Sequence, residues 1–262
     1  MRDEGKRLIK RNRLESFDSL RRSHRLGHTT NACLAGEAPI SSSELGEFAL
    51  GDRVLFIDGE AIVIDKPAGL PVDEPRSGGD SVTARLDELK FGFHRSPVAM
   101  HRLDRDTSGC LLLARNPKAR ARFAQAFELG TVEKVYLAVL EGEISGEGLI
   151  DMPLAKTSSP ERGWRIIADE DGKAARTSWR AIKTSGGRTL VEFRPETGRT
   201  HQIRAHARYG LDAPVAGDPV YGTGGECMLL HALRLVVPRE KKPAIDVTAP
   251  LPKRFGDWGD GF

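Results

Sequence analysis

An α+β fold, mostly antiparallel strands with a few short helices, is predicted by three observations. Short β-branched and aromatic runs recur between Gly- and Asp-containing turns from residue 54 onward. Asp58-Gly59 and Gly186-Gly187 each join two such runs across a gap of a few residues, as hairpins do. Residues 116–130 and 200–210 carry the start and stop signals of helices. The chain has 262 residues, 39% hydrophobic and 29% charged, enough apolar side chain for a real core. Residues 1–45 read as a basic, Ser- and Gly-containing extension, and residues 46–262 as a single folded domain.

Composition excludes several classes. No apolar run approaches the ~18 residues of a membrane helix, and no apolar segment resembling a secretory signal follows the N-terminus. Cys33, Cys110 and Cys227 lie far apart, without metal or redox spacing, which favours a reducing, cytoplasmic setting. Net charge is +3, but its distribution is uneven. Residues 1–28 hold nine Lys or Arg against four acids, a surplus of +5, which leaves −2 for the rest. Affinity of the folded part for a polyanion must therefore come from clustered arginines rather than bulk charge.

The elements follow in order. Val54-Leu55-Phe56-Ile57 and Ala61-Ile62-Val63-Ile64 read as a hairpin. Lys66-Pro67-Ala68-Gly69-Leu70-Pro71 then forces an extended, turning loop, with Lys66 placed at a strand end to reach a phosphate or a carboxylate. Residues 81–90 suit a short helix opened by Ser81. The next stretch, residues 98–113, changes from apolar to charged and back. His101-Arg102-Leu103-Asp104-Arg105-Asp106 is followed by Thr107-Ser108-Gly109, read as a tight turn, and by the buried strand Cys110-Leu111-Leu112-Leu113-Ala114. Asn116-Pro117 supplies an N-cap and first-turn proline, Phe123 and Phe127 mark one helical face, and Gly130 stops the helix. Residues 132–140 read as a strand containing Tyr136. Runs 164–168 and 174–182 flank an Asp171-Gly172 turn, and Gly186-Gly187 leads into the strand 189–193. Thr200 is the expected N-cap of the second helix and Gly210 its stop. Thr200, Arg204 and Arg208 then fall on one positive stripe. His201 and His206, five apart, do not share a helical face, so no metal site is expected there. Residues 229–238 form one more strand or strand pair.

Read alone, the charged turn around Asp104 is a solvated loop with weak ion pairs. Four blocks in order give it another meaning. Lys66-Pro67-Ala68-Gly69-Leu70, the block His101 to Gly109, Lys134-Val135-Tyr136-Leu137-Ala138 and residues 198–206 together resemble the RluA-type pseudouridine synthases, over roughly residues 50 to 255. Leu230-His231-Ala232 also fits. The resemblance implies one large mixed, mostly antiparallel sheet with flanking helices, crossed by an RNA-binding cleft, and residues 46–262 as its catalytic domain. It implies Asp104 as the catalytic aspartate, Tyr136 as the tyrosine packed against the target base, and Arg204 as the partner of the catalytic carboxylate. Arg102 matches an arginine near the flipped nucleotide, and Arg105, Lys66, Arg199 and His201 are the expected RNA contacts. Residues 1–45 are too short and irregular for the accessory RNA-binding domain of many relatives. The loop Pro71-Val72-Asp73-Glu74-Pro75 is also more acidic than the family form.

The implied reaction isomerises a uridine in ribosomal or transfer RNA: the base leaves through N1, turns and rejoins through C5. A carboxylate serves either by attack on sugar or base or by removing a sugar proton. Either role needs a partly desolvated aspartate whose charge a cation compensates, and a base taken out of its stack. No cofactor and no metal is expected, and the chain is expected to act as a monomer. Two other readings stand beside this one. Asp104-Arg105-Asp106 also reads as the Asp-x-Asp metal site of a metal-dependent nuclease or glycosyl-transfer enzyme, though two carboxylates with arginines beside them make a poor one. A non-catalytic RNA-binding module would keep the cleft but not its chemistry.

Overall fold

The computed structural model describes residues 48–161, 163–225 and 227–259. The basic extension and Cys33 lie outside the described residues. Two layers of side chains cover a ten-stranded sheet, in the order β1-β2-β4-β11-β5-β10-β9-β6, with β3 on β4 and β12 on β11. The strands are β1 Val54–Ile57, β2 Ala61–Lys66, β3 Val98–Ala99, β4 Ser108–Ala114, β5 Glu133–Glu141, β6 Glu147–Asp151, β9 Arg176–Ser185, β10 Arg188–Pro195, β11 Leu230–Val237 and β12 Ile245–Thr248. Every pairing is antiparallel except β11 with β4, so the sheet is mixed, as expected. The last long strand enters the middle of the sheet, between β4 and β5.

The expected hairpins form at Asp58-Gly59 and Gly186-Gly187. The Asp58 carboxylate accepts the N–H groups of Glu60 and Ala61 at 2.8 and 2.9 Å, which fixes the first turn. Strands β2 and β4 are buried on both faces. On one face, Val63, Cys110 and Leu112 pack against Ala119 and Phe123 of helix α1, Pro117–Glu128. On the other, Ile62, Ile64, Leu111 and Leu113 pack against Leu50, Leu70 and Leu89. The Asn116 side chain caps α1 by accepting the Ala119 N–H at 2.9 Å. Residues 83–89 form a 3-10 helix, and Ser81 Oγ accepts the Ala84 N–H at its start.

Three expectations shift. The turn before β4 is Asp104 to Thr107, where the Thr107 N–H bonds the Asp104 carbonyl; Ser108 and Gly109 already belong to the strand. Runs 164–168 and 174–182 do not pair with each other. Strand β8, Gly163–Ala168, pairs with β7, Leu154–Ser159, as a ribbon outside the main sheet, while β9 runs between β10 and β6. The Asp171-Gly172 turn therefore links two sheets. Helix α2, Gln202–Gly210, begins after His201, not after Thr200, and no side chain caps it at that position. Gly210 lies within the helix. A Cβ there would come 2.9 Å from Ile150 Cγ2, so its smallness serves helix–sheet packing.

Gly109 has a different necessity. Its φ is +107°, and a Cβ on it would sit 2.2 Å from the Ala232 carbonyl oxygen. Glycine alone lets β4 approach β11 at the foot of the charged turn. Gly109→Ala is expected to lower unfolding free energy by about 3 kcal/mol or more, from strain and overpacking together. Urea denaturation checks this, and a wild-type midpoint would mean that β11 moves aside at little cost.

Candidate active site

The loop from β3 to β4 presents Asp104 at the floor of a cleft of about 580 Å³. Its neighbours come from distant segments. From α2, Arg204 Nη1 donates to Asp104 Oδ2 at 3.0 Å. The same guanidinium grips a second carboxylate in bidentate fashion: Nε to Asp218 Oδ2 at 2.7 Å and Nη2 to Asp218 Oδ1 at 2.8 Å. Arg204 is 5% exposed and Asp218 fully buried. Asp218 Oδ1 also accepts the backbone N–H groups of Val220 and Tyr221, so its position is fixed from both sides. Burial works against the Arg204 charge, but its hydrogen bonds to Asp218 and the charges of Asp218 and Asp104 prevail and raise its pKa above the usual arginine value. Arg204 is thus a permanent cation held between two carboxylates.

Tyr136 lines the same cleft from the middle of β5, where the apolar cluster under β2 and β4 meets the one under α2. Burial, with the Asp104 charge adding to it, pushes its phenol pKa up, so the hydroxyl stays neutral. His201 is left-handed, with φ 52° and ψ 21°, a strained conformation for a non-glycine residue. Its Nδ1 is 3.1 Å from Tyr221 Oη and its Nε2 3.9 Å from Asp104 Oδ1. Burial lowers its pKa, with Asp104 opposing. Gln202 organises the start of α2: its Oε1 accepts from the Arg199 N–H and the Thr197 hydroxyl, and its Nε2 donates to the Arg176 carbonyl.

Of the expected site residues, Asp104, Tyr136, Arg204, Arg102, Arg199 and His201 line one cleft. Arg102 is largely exposed at its rim and pairs with Asp73, in the acidic loop, at 3.1 Å. Arg199 donates through Nε to the Ala174 carbonyl at 3.0 Å. Lys66 departs from expectation. Lys66 is fully buried and cannot touch RNA. Its ammonium donates to three carbonyls, those of Pro67 at 2.7 Å, Leu70 at 2.7 Å and Arg105 at 3.0 Å. The Arg105 carbonyl also accepts the Gly69 N–H at 2.9 Å, so this lysine anchors the backbone that carries Asp104. The Arg105 side chain turns outward and pairs with Asp106 at 3.0 Å, outside the cleft lining. The expected positive stripe on α2 does not exist as such: Arg204 is buried between carboxylates and Arg208 pairs with Asp212.

Sequence reasoning missed Asp218 and Tyr221. The turn signal Gly217-Asp218-Pro219, with Tyr221-Gly222 just beyond, was the available clue. It also missed Trp164, which packs over His201 with ring centroids 5.0 Å apart. His206 is structural, its ring held between the Thr177 hydroxyl and the Met152 carbonyl. Among the described residues, no group of three or more His, Cys, Asp or Glu converges as a metal site would require.

A large mixed sheet with few helices is the pseudouridine synthase fold. Its solved relatives share it. Human RNA pseudouridylate synthase domain containing 4 is 25% identical with a TM-score of 0.67, covering 82% of this chain and 94% of that one. Residues 60–209 match the RNA pseudouridylate synthase family, and the chain belongs to that family. An uncharacterised RNA pseudouridine synthase of Zymomonas mobilis is 55% identical over 80% of this chain and 98% of its own length. Ribosomal large subunit pseudouridine synthase D of Nitrosomonas europaea is 37% identical over 72% of this chain, which spans 55% of that protein. The enzyme isomerises uridine in RNA.

Two measurements check the supports of the site. Asp218→Asn breaks a buried charged pair and is expected to cost about 3–5 kcal/mol of stability; urea denaturation reads it, and a wild-type midpoint would mean Asp104 alone holds Arg204. Lys66 provides a pH signature. Burial brings its pKa from 10.5 down to about 7, with Asp106 and Asp104 partly opposing. Between those values the unfolded chain binds a proton that the folded chain lacks, so stability rises with pH across that window. The melting temperature of the wild type is expected to gain on that of Lys66→Met from pH 7 to 10, and parallel curves would refute the assignment.

Proposed function

We propose that Asp104 is the group that acts on the target uridine, with Arg204 as its compensating cation and Tyr136 as the wall against which the flipped base packs. The observation that supports this most directly is the Asp104–Arg204–Asp218 chain. Asp104 offers one oxygen to Arg204, while the other, Oδ1, lies 3.9 Å from His201 Nε2 in the cleft lining. A carboxylate needs a free oxygen to attack carbon or to remove a proton, and it needs its charge balanced when RNA displaces water from the cleft. Arg204 supplies that balance, and Asp218 prevents the guanidinium from collapsing fully onto Asp104. Burial keeps the Tyr136 ring neutral and rigid, suited to contact with a base taken out of its stack.

The N1–C1′ bond breaks, the base rotates in the pocket and C5 bonds to C1′; the C5 proton then leaves to a base and N1 takes up a proton. Under either route, attack or sugar-proton removal, the reacting atom on the protein is the free oxygen of Asp104. Arg102 is placed to brace the RNA left behind, because its exposed guanidinium stands at the rim with only Asp73 to release. Arg199, also at the rim, offers a phosphate contact. Asp106 has no role in this chemistry, because its carboxylate faces Arg105 away from the cleft.

Relatives named as ribosomal large subunit pseudouridine synthases support ribosomal RNA as the substrate. No helix among the described residues is long and apolar enough to cross a membrane. The test is direct. Asp104→Asn is expected to bind RNA and form no pseudouridine, while Asp106→Asn stays active and EDTA has no effect. Full activity in Asp104→Asn, or EDTA sensitivity, would overturn the assignment. Mapping pseudouridines in all cellular RNA from a strain without the gene would identify the substrate, and a transfer RNA site lost there would displace the ribosomal reading.

A further inference from the structure

The β7–β8 ribbon stands outside the main sheet and packs on α2 through its inner face. Leu154 and Ile166 on that face are buried with Ala205 and Tyr221. Strand periodicity puts Trp164 on the same face, two residues beyond Ile166 and opposite Ser158. There the core ends, and Trp164 is 45% exposed. Its ring leans over His201 at a 32° interplanar angle, and the Lys156 ammonium lies 5.2 Å from the ring centroid.

The ribbon is also tied to the reacting centre. The Ile166 N–H donates to Tyr221 Oη at 3.0 Å, the same oxygen that meets His201 Nδ1, while His201 Nε2 faces Asp104. Trp164 is therefore separated from the proposed reacting carboxylate by one imidazole. A large aromatic half open to solvent, beside a lysine and next to a cleft for RNA, has the makings of a base-stacking platform. Every nucleobase offers a π-face, and the adjacent ammonium attracts the phosphate linked to it.

We propose that Trp164 and Lys156 form a stacking site for an unpaired nucleotide adjacent to the flipped uridine, with the ribbon acting as an overhanging rim. The site rests on the reading of the cleft as an RNA-binding one. It deepens that reading by requiring single-stranded RNA beside the target. The ribbon's hold on Tyr221 and His201 lets the platform and the catalytic floor keep a fixed spacing.

The probe is a fluorescein-labelled oligouridine, with affinity read by anisotropy. Trp164→Ala is expected to weaken binding by about fivefold or more, and Trp164→Phe to restore most of the loss, because a phenyl ring also stacks. In turnover assays the loss falls mainly on KM. A second readout does not depend on that truncation: with Trp179→Phe and Trp258→Phe combined, Trp164 is the only tryptophan left, and oligouridine should quench its emission. Trp164→Ala affinity within twofold of wild type, a loss confined to kcat, or emission that ignores RNA would overturn the proposal. If the wild type makes pseudouridine but Trp164→Ala binds normally, only the stacking site fails. If oligouridine quenches Trp164 and no pseudouridine forms on any cellular RNA, the functional reading fails and the stacking site stands.

Discussion

Everything in the site depends on one buried cation between two carboxylates. Arg204 is reached from a loop 100 residues upstream and a turn 14 residues downstream. Removing Arg204 would leave buried Asp218 and partly buried Asp104 without their cation, which is costly in a low-dielectric interior. The arrangement also sets the geometry of the reacting group. Asp218 takes two of the guanidinium's nitrogens and leaves one for Asp104, so the proposed catalyst is oriented by a single hydrogen bond and keeps an oxygen toward the cleft. A bidentate grip on Asp104 would have tied up both of its oxygens.

The backbone beneath Asp104 is held by an equally economical device. The three carbonyls around Lys66 Nζ come from two loops, residues 67–70 and Arg105, that have no ladder of their own. An ammonium offers three donors, and each finds an acceptor. Burying it disfavours its charge, but the Pro67 and Leu70 carbonyls would lose their donor in the same place, which is worse. This explains why a lysine that looks like a phosphate ligand in sequence faces inward. The hydrogen-bond needs of two irregular loops outweigh the usual preference of lysine for water.

Much of the fold was legible because its signals are local. Asp58-Gly59, Asn116-Pro117 and Gly186-Gly187 act through their own backbone geometry, and each was found where expected. The partner of β8 was not legible. Runs 164–168 and 174–182 have the spacing of a hairpin, but the inner face of the ribbon is claimed by α2, and pairing follows that burial. The start of α2 was misplaced because Thr200 has the chemistry of an N-cap, whereas the helix starts after left-handed His201 and the Gln202 side chain reaches back to the Arg199 N–H. Within the site, the four blocks located Asp104, Tyr136 and Arg204, whereas Asp218 stayed hidden. Its importance comes from what it touches in space, and a lone Asp in a Gly-Asp-Pro turn reads as a turn residue.

The position of β11 has a consequence in time. Asp104 is carried by the half of the sheet made of β1, β2 and β4, while Tyr136 and Arg204 belong to the half made of β5, β10 and α2. The strand between the halves is the last long one to leave the ribosome. Until residues 230–237 are available, β4 and β5 each present an open central edge, the kind that invites wrong pairing. A chain that stopped before residue 230 would carry Asp104, Tyr136, Arg204 and Asp218 and yet lack the strand that joins the two halves holding them.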